Sequence, residues 1–207
     1  MAQEQSLQAF LDELAGSAST PGGGGAAALS GAVGAALVSM VCNLTIGKPK
    51  FAEVEDQMKE LLTKSETLRA RLTKMMDEDV AAFDGVMAAY RMPKETDNQK
   101  AARTEAIQAS SKQATLVPLA AARACAEVID LCGPAAELGN PNVVSDAGVA
   151  VASAQAGLKS AALNVLINLG AIKDQEFVAG RQAELDEILT THDQLANEVY
   201  TLVKGKL

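Results

Sequence analysis

The chain has 207 residues and carries a formal net charge of −8 at pH 7. This length allows one domain with a sizeable core or two small ones. The negative charge argues against a nucleic-acid partner, because phosphate binding requires a clustered basic surface. Hydrophobic residues make up 48% of the chain and aromatic residues only 3%. A core built from small and aliphatic side chains favours closely packed helices over a sheet.

A short amphipathic helix is predicted from Ser6 to Leu14, and the most unusual stretch of the chain follows it. This stretch, residues 19–48, reads STPGGGGAAALSGAVGAALVSMVCNLTIGK. Its uncharged part, from Ala26 to Ile46, predicts a helix of small residues buried among other helices at close backbone distance. The glycines before it form a predicted loop whose free amide groups could face an anion or a polarised carbonyl. A phosphate-binding P-loop is excluded, because no Lys-Ser/Thr pair follows the glycines.

The same apolar run is also long enough to cross a membrane. Its small side chains and the absence of flanking Trp or Tyr belts favour a buried helix of a water-soluble protein instead. The segment from Met1 to Phe10 lacks the basic start and apolar run of a signal peptide. The three cysteines match no zinc or redox spacing and are predicted to be buried in a reducing compartment. We therefore predict a cytoplasmic protein without a membrane span.

From Phe51 to Tyr90 apolar residues recur at steps of three and four, which predicts one helical stretch. Unbroken, it would be about 60 Å long, so a bend, a protruding hairpin or a dimer contact is expected. Asp79 falls within the apolar stripe, where a carboxylate needs a partner or changes its protonation state. The pattern leaves two interpretations of Asp79 open, a general acid/base or an ion pair with a neighbouring helix.

The remaining sequence predicts three further helices separated by turns. The first begins near Asn98 and contains Pro118, which is expected to kink or break it, and Gly133 and Pro134 are expected to end it. The second covers residues 147–169, after the turn at 139–142, and the third covers residues 173–203. No strand, repeat or long linker is evident. The predicted fold is an all-α, single-domain bundle of long helices over residues 1–207.

Polar residues follow one narrow face of the helix after that turn. They recur at steps of three, four or seven residues: Asp146, Ser153, Gly157, Ser160, Asn164 and Asn168. Two amides one turn apart are costly to bury unless they are hydrogen-bonded, so they either bind a ligand or tie helices together. Arg103 and Lys112 could meet a carboxylate ligand. No group of His, Cys and carboxylate residues has metal-ligand spacing, so no metal is predicted.

Several of these segments resemble the cyclodeaminase/cyclohydrolase family of folate enzymes. The resemblance rests on TPGGGGAAALSGAVGAALVSMV, DVAAF, MPKETD, GNPNVVSDAGVAV and AALNVLIN, which occur in the family's order over nearly the whole chain. It implies an all-α domain that forms a homodimer, with folate bound near the dimer interface and no cofactor. The glycine-rich run is similar to that of stand-alone methenyltetrahydrofolate cyclohydrolases. The 207 residues contain no formiminotransferase domain, which favours hydrolysis of 5,10-methenyltetrahydrofolate over formiminotetrahydrofolate cyclodeamination.

The resemblance also implies a set of site residues. Positions matching the family are Pro21, Gly22, Gly23, Gly24, Gly25, Asp79, Phe83, Arg103, Asn140, Asp146, Asn164 and Asn168. The reaction itself calls for an acid/base group, for which Asp79 or Asp146 is predicted. A cation is needed for the glutamate tail of folate, for which Lys48, Arg103 or Lys112 is predicted. The alternative of another class is a helical interaction protein whose polar residues serve only assembly.

Overall fold

The computed structural model describes residues 5–207, and within them it contains six α-helices, two short 3₁₀-helices and no strand. The 3₁₀-helices are Pro49–Val54 and Pro141–Val143. The α-helices are α1 (Leu7–Leu14), α2 (Gly23–Asn43), α3 (Glu55–Tyr90), α4 (Asp97–Leu138), α5 (Val144–Leu169) and α6 (Gln175–Lys204). The predicted all-α class is confirmed. The expectation for Met1 to Phe10 lies partly outside the described residues.

Helix α2 lies at the centre of the bundle and packs against α3, α4 and α5. It runs antiparallel to α5 with almost no space between the two backbones. A Cβ atom on Gly34 would lie 2.9 Å from the Ala150 carbonyl oxygen, and one on Gly157 would lie 2.9 Å from the Ala27 carbonyl oxygen. Only glycine permits this approach without displacing backbone. The prediction of a small-residue helix buried among other helices is therefore confirmed.

The start of α2 differs from the sequence prediction. The helix begins at Gly23 rather than Ala26, so three of the four glycines belong to its first turn, and Gly22 caps it in an extended conformation. The first amide groups of a helix have no partner within the helix. The glycine segment therefore presents a helix N-terminus instead of a loop.

Within residues 5–207, two helical segments are long and apolar enough to cross a membrane by length and composition, namely Gly23–Asn43 and Pro141–Leu169. In the first, 61% of the most apolar window is buried inside the protein, and in the second 44% is buried. Core helices of soluble proteins meet the same criterion. For α2 the burial against three other helices accounts for the apolar composition.

Helices α3 and α4 form a long pair, and α4 is longer than predicted. Both Pro118 and Pro134 lie inside α4, which continues to Leu138. The predicted end at Gly133 and Pro134 is therefore wrong, and Pro118 does not break the helix. A proline removes a single backbone donor. At Pro118 the Ala114 carbonyl that loses its helical partner accepts a hydrogen bond from Asn168 Nδ2 instead, at 2.9 Å.

The three cysteines are buried and unpaired, as the sequence predicts. Burial raises the pKa of the Cys42 thiol to about 11 and that of Cys125 to about 12. It also raises the pKa of Cys132 above its usual range. These thiols therefore stay protonated at neutral pH and serve as small apolar side chains.

Candidate active site

A cavity of about 330 Å³ opens where the N-terminus of α2 meets α3, α4 and the C-terminal half of α5. Its apolar wall is formed by Ala82, Phe83, Val86, Ala114 and Ile167. Its polar wall is formed by Ser19, Thr20, Gly22, Gly23, Gly24, Asp79, Asn164 and Asn168. The predicted glycine segment, carboxylate and pair of amides therefore surround one space.

Asp79 projects from α3 towards the first turn of α2. The backbone N–H of Gly25 donates a hydrogen bond to its carboxylate, which favours the charged form. Burial has the larger effect and raises the pKa of Asp79 above its usual value. Among the described residues no cation forms an ion pair with Asp79, so the ion-pair interpretation left open by the sequence is not supported by the structure.

The position of the Asp79 carboxyl group explains why residue 24, in the first turn of α2, is a glycine. A Cβ atom at Gly24 would overlap the Asp79 carboxyl group, whereas one at Gly25 would meet its nearest neighbours, in Phe10 and Pro21, at 3.9 Å, which is ordinary van der Waals contact. Asp79 therefore occupies the space that any other residue at position 24 would fill. The carboxylate also lies beside the positive end of the α2 dipole, which attracts negative charge.

The two amides of α5 are held so that their oxygen atoms stay available. Asn164 Nδ2 donates to the Ser160 carbonyl at 2.9 Å, and Asn168 Nδ2 donates to the Ala114 carbonyl at 2.9 Å. In each amide group the nitrogen donates to a backbone carbonyl, which only the nitrogen can do, so the orientation of the amide is fixed. Neither amide oxygen accepts a hydrogen bond from the described residues. Both side chains line the cavity.

The cavity is consequently rich in hydrogen-bond acceptors. One carboxylate and two amide oxygens face it, and none of its described lining residues carries a positive charge. Such a site suits a ligand with several N–H donors or a positive charge. Backbone amides at the start of α2 also lie in its wall and could meet a carbonyl oxygen of the same ligand.

Three of the predicted site residues lie at the opposite end of α2 within one chain. Lys48 is exposed just after α2, which is about 31 Å long. Asn140 is buried and uses its side chain to accept from the Asn142 N–H and to donate to the Leu44 carbonyl, at 3.1 Å each. Asp146 is in the first turn of α5, about 27 Å from Asn164 at the helical rise per residue.

The two other predicted cations are also outside the cavity. Arg103 donates to the Tyr90 carbonyl at 3.0 and 3.2 Å, where α3 ends. Lys112 pairs with Asp174 at 2.6 Å and lines a groove of about 640 Å³ further along α3 and α4. Phe83 lines the cavity. Pro21 is not among the described lining residues and packs against Gly25 instead.

Sequence reasoning missed Ser19, Thr20 and Ile167, which also line the cavity. The first two immediately precede Pro21 and the glycines, so their position in the chain was an available signal. Ile167 has 74% of its surface exposed, although it directly follows another large apolar residue, Leu166. Nothing in the periodicity of α5 distinguishes such an exposed apolar residue from a core residue. Among residues 5–207, no group of three His, Cys, Asp or Glu side chains could hold a metal ion.

Comparison with known proteins agrees with this architecture. The sequence model described as formiminotransferase-cyclodeaminase matches residues 6–187. A methenyltetrahydrofolate cyclohydrolase from Methylorubrum extorquens is 58% identical over 207 residues, which is 100% of both chains. A formimidoyltransferase-cyclodeaminase from Rattus norvegicus is 34% identical over 99% of this chain but only 37% of its own length.

A solved structure has the same fold. The crystal structure of a formiminotetrahydrofolate cyclodeaminase from Thermotoga maritima superimposes with a TM-score of 0.89 and 30% sequence identity, covering 99% of this chain and 98% of that one. The protein is thus an all-α member of a family of folate enzymes. The chain belongs to the formiminotransferase-cyclodeaminase family.

Proposed function

We propose that this protein is an enzyme that hydrolyses 5,10-methenyltetrahydrofolate to 10-formyltetrahydrofolate. The observation that carries the proposal is the cavity beside the α2 N-terminus that Asp79, Asn164 and Asn168 line together, with no described donor to either amide oxygen. The full-length identity of 58% to a protein named for this activity supports it. A purely structural helical bundle would have no reason to gather around one cavity a carboxylate without a cation and two amide oxygens without a donor from the protein.

The chemistry of the substrate matches the polarity of the cavity. The pterin ring presents N–H donors along one edge and a carbonyl oxygen, and the bridging carbon carries the positive charge of an amidinium group. Amide oxygens at Asn164 and Asn168 can accept from the ring donors, and the Asp79 carboxylate can stabilise the positive carbon. The wall that contains Phe83 and Val86 provides apolar contact for the ring faces.

Asp79 takes a proton from the attacking water and later gives it to the departing nitrogen. Its carboxylate takes a proton from water as the water oxygen bonds to the amidinium carbon, which neutralises the cation. The bond from that carbon to the ring nitrogen N5 then breaks, and N5 takes the proton from the Asp79 carboxyl group. The new hydroxyl loses its proton as the formyl carbonyl forms on N10, so one proton is released overall. A raised pKa suits a group that acts first as a base and then as an acid.

The groove between α3 and α4 provides a path for the rest of the substrate. Lys112 lines this groove beyond Val86, and its ammonium group lies 5.4 Å from the centre of the Phe177 ring. We assign the glutamate tail to this path, with Lys112 rather than Lys48 or Arg103 as its cation. Arg103 donates to the end of α3 and is not among the described residues that line the groove, and Lys48 lies at the far end of α2.

A homodimer is part of the proposal. Helix α5 exposes a row of large apolar side chains that includes Val149, Leu163 and Ile167. Ile167 belongs both to this face and to the cavity wall, so a second copy that covered the face would also close the cavity. The role predicted for Asp146 stays a prediction, because only an Asp146 from a second copy could reach this site. We expect a Leu163→Arg variant to sediment as a monomer and to lose activity.

The enzyme is proposed to be soluble and cytoplasmic and to act without a cofactor. No cofactor is required by the reaction, because the substrate carbon is already electrophilic. The thiols of the buried cysteines suit a reducing compartment.

The test uses the near-ultraviolet absorbance of the methenyl group, which hydrolysis removes. The wild-type protein should accelerate its loss over buffer, and Asp79→Asn should lower kcat by about 10²–10⁴-fold, the usual contribution of a general acid/base. Asp84→Asn is the matched control, because Asp84 is an exposed carboxylate on the same helix. Circular dichroism should show equal helix content in all three. A near-full rate in Asp79→Asn would exclude Asp79 as the acid/base group.

A second candidate activity is the release of ammonia from formiminotetrahydrofolate. It is supported by the structural similarity to the Thermotoga maritima protein of that name. In this reaction the same carboxyl group would deliver its proton to the departing nitrogen. Ammonia measured under identical conditions distinguishes the two activities, and we expect the methenyl substrate to be consumed with the higher kcat/KM.

A further inference from the structure

Pro118 lies one helical turn after a carbonyl group that forms part of the cavity wall. It is buried inside α4. In a regular helix the N–H of residue 118 would donate to the carbonyl of Ala114, and proline has no N–H to donate. The Ala114 carbonyl instead accepts from Asn168 Nδ2 at 2.9 Å, across the interface between α4 and α5.

This hydrogen bond decides how Asn168 faces the cavity. An amide group donates only through its nitrogen, so the bond to Ala114 fixes the nitrogen on the α4 side. The oxygen is then the end that remains available to a ligand, and Asn168 lines the cavity together with Ala114. Rotation of the amide by 180° would place two oxygen atoms against each other and is therefore disfavoured.

We propose that Pro118 is a positioning residue. Because proline has no N–H to donate, the Ala114 carbonyl remains available to Asn168, and this hydrogen bond keeps the Asn168 oxygen directed at the substrate. A residue with an N–H at position 118 would compete for the same carbonyl. Asn168 would then be free to rotate or to turn away, and an acceptor for the ring donors of the substrate would be lost. This inference rests on the proposed function for its kinetic consequence, although the hydrogen bond itself can be examined without substrate.

The experiment compares two prolines of the same helix. Pro118→Ala adds an N–H beside the cavity, and Pro134→Ala adds one at an exposed position near the end of α4. We expect Pro118→Ala to raise KM for the methenyl substrate about tenfold, the usual effect of weakening one good hydrogen bond, with a Tm no lower than that of the wild type. Pro134→Ala should leave KM within twofold of wild type, as expected for a change remote from the cavity.

A double variant shows whether the two residues act together. Asn168→Ala alone should raise KM at least as much as Pro118→Ala, and the combination should be no worse than Asn168→Ala alone, since both remove the same interaction. Fully additive effects, or an unchanged KM in Pro118→Ala, would overturn the proposal. So would an unchanged KM in Asn168→Ala.

A direct measurement separates this proposal from the proposed function. The side-chain ¹⁵NH₂ signals of Asn168, assigned by their disappearance in Asn168→Ala, should shift in Pro118→Ala and stay in place in Pro134→Ala. A shift without any cyclohydrolase activity in the wild type would leave the positioning role standing and remove the function. Unshifted signals in Pro118→Ala contradict the positioning role even if the enzyme is active. If Pro118→Ala does not fold, Pro118→Gly supplies the same N–H and is judged by the same signals.

Discussion

Asparagine side chains from other parts of the chain lie beside both ends of α2, but their hydrogen bonding differs between the two ends. At the C-terminal end, Asn140 has every polar group engaged: its backbone N–H donates to Thr45 Oγ1 at 2.9 Å, and its side chain bonds Leu44 and Asn142. At the N-terminal end, Asn164 and Asn168 each have a fixed nitrogen and an unused oxygen.

This difference identifies which end of α2 can bind a ligand. A buried polar group whose bonds are all satisfied within the protein stabilises the fold, whereas one with unused capacity beside a cavity is available to a ligand. By this criterion the N-terminal end of α2 is the functional end. The cluster around Asn140 joins the end of α2 to the turn before α5.

Among the variants that compare the two ends of α2, the largest effect is expected at Gly24. Gly24→Ala would place a methyl group in the space of the Asp79 carboxyl group, and a displacement of about 1 Å in a catalytic group can cost about 10²-fold in rate. We therefore expect kcat/KM to fall by about that factor. Gly25→Ala is the matched control, because its Cβ would meet neighbours only at 3.9 Å. Equal activity in the two variants would show that the carboxylate need not occupy this position.

Substitutions at Asn140 and at Asn164 should have opposite effects on stability and on activity. Asn140→Ala should lower the free energy of unfolding by about 1–3 kcal/mol, because it leaves a buried donor and acceptor without partners. Its kcat/KM should stay within about twofold of wild type, as expected for two distant, independent sites.

Asn164→Ala should do the reverse. We expect kcat/KM to fall about tenfold from the loss of one hydrogen bond to the substrate, with little change in Tm. Chemical denaturation and the absorbance assay, performed on both variants, provide the comparison. If Asn140→Ala lost activity without losing stability, the division between the two ends of α2 would be wrong.

Much of this site could be predicted from sequence, because helical periodicity identifies polar residues on a buried face. Asp79 was found in this way, and so were Asn164 and Asn168. Periodicity gives an angle around the helix axis but not the position of a cavity along it. Asp146 shares its face of α5 with Asn164 yet lies about 27 Å away. Which end of a helix meets a cavity depends on tertiary packing, which no local pattern contains.

The same limit explains why the sequence does not show that α4 continues through Pro118. Proline has a poor helix propensity because a donor is lost and the ring crowds the preceding turn. Whether the helix continues depends on what happens to the orphaned carbonyl. At Pro118 this is the Ala114 carbonyl, and its partner Asn168 comes from α5, 54 residues further along the chain. A sequence pattern cannot supply that information.

The pH dependence separates the carboxylate from the amides. Since burial raises the pKa of Asp79, the rate should decline as the pH is lowered, with a midpoint above the ordinary value for aspartate. Below the midpoint kcat/KM should fall about tenfold per pH unit, as the ionised fraction does. Asn164→Ala should lower the whole profile without moving its midpoint. A midpoint at the ordinary value would contradict the burial effect.

The same shift has a signed consequence for stability. A carboxyl group whose pKa is raised on folding binds its proton more tightly in the folded state, so it destabilises the fold above the raised pKa. The penalty disappears as the pH falls through the interval between the raised and the ordinary pKa. Asp79→Asn should therefore have a higher Tm than wild type at neutral pH, and the difference should vanish in acid. A constant difference in Tm would indicate another cause.

The smallest effect is expected for the cations, and it tests how far the site extends from the cavity. Lys112→Gln should raise KM about threefold and leave kcat unchanged, because an exposed ion pair contributes at most about 1 kcal/mol. The effect should grow with the number of glutamates on the substrate tail and weaken at high salt, since screening reduces interactions between exposed charges. Lys48→Gln, at the far end of α2, is the control and should leave KM unchanged at every tail length. A larger effect for Lys48 than for Lys112 would mean that the substrate tail runs towards the Asn140 end, where only a second copy could join the two regions into one site.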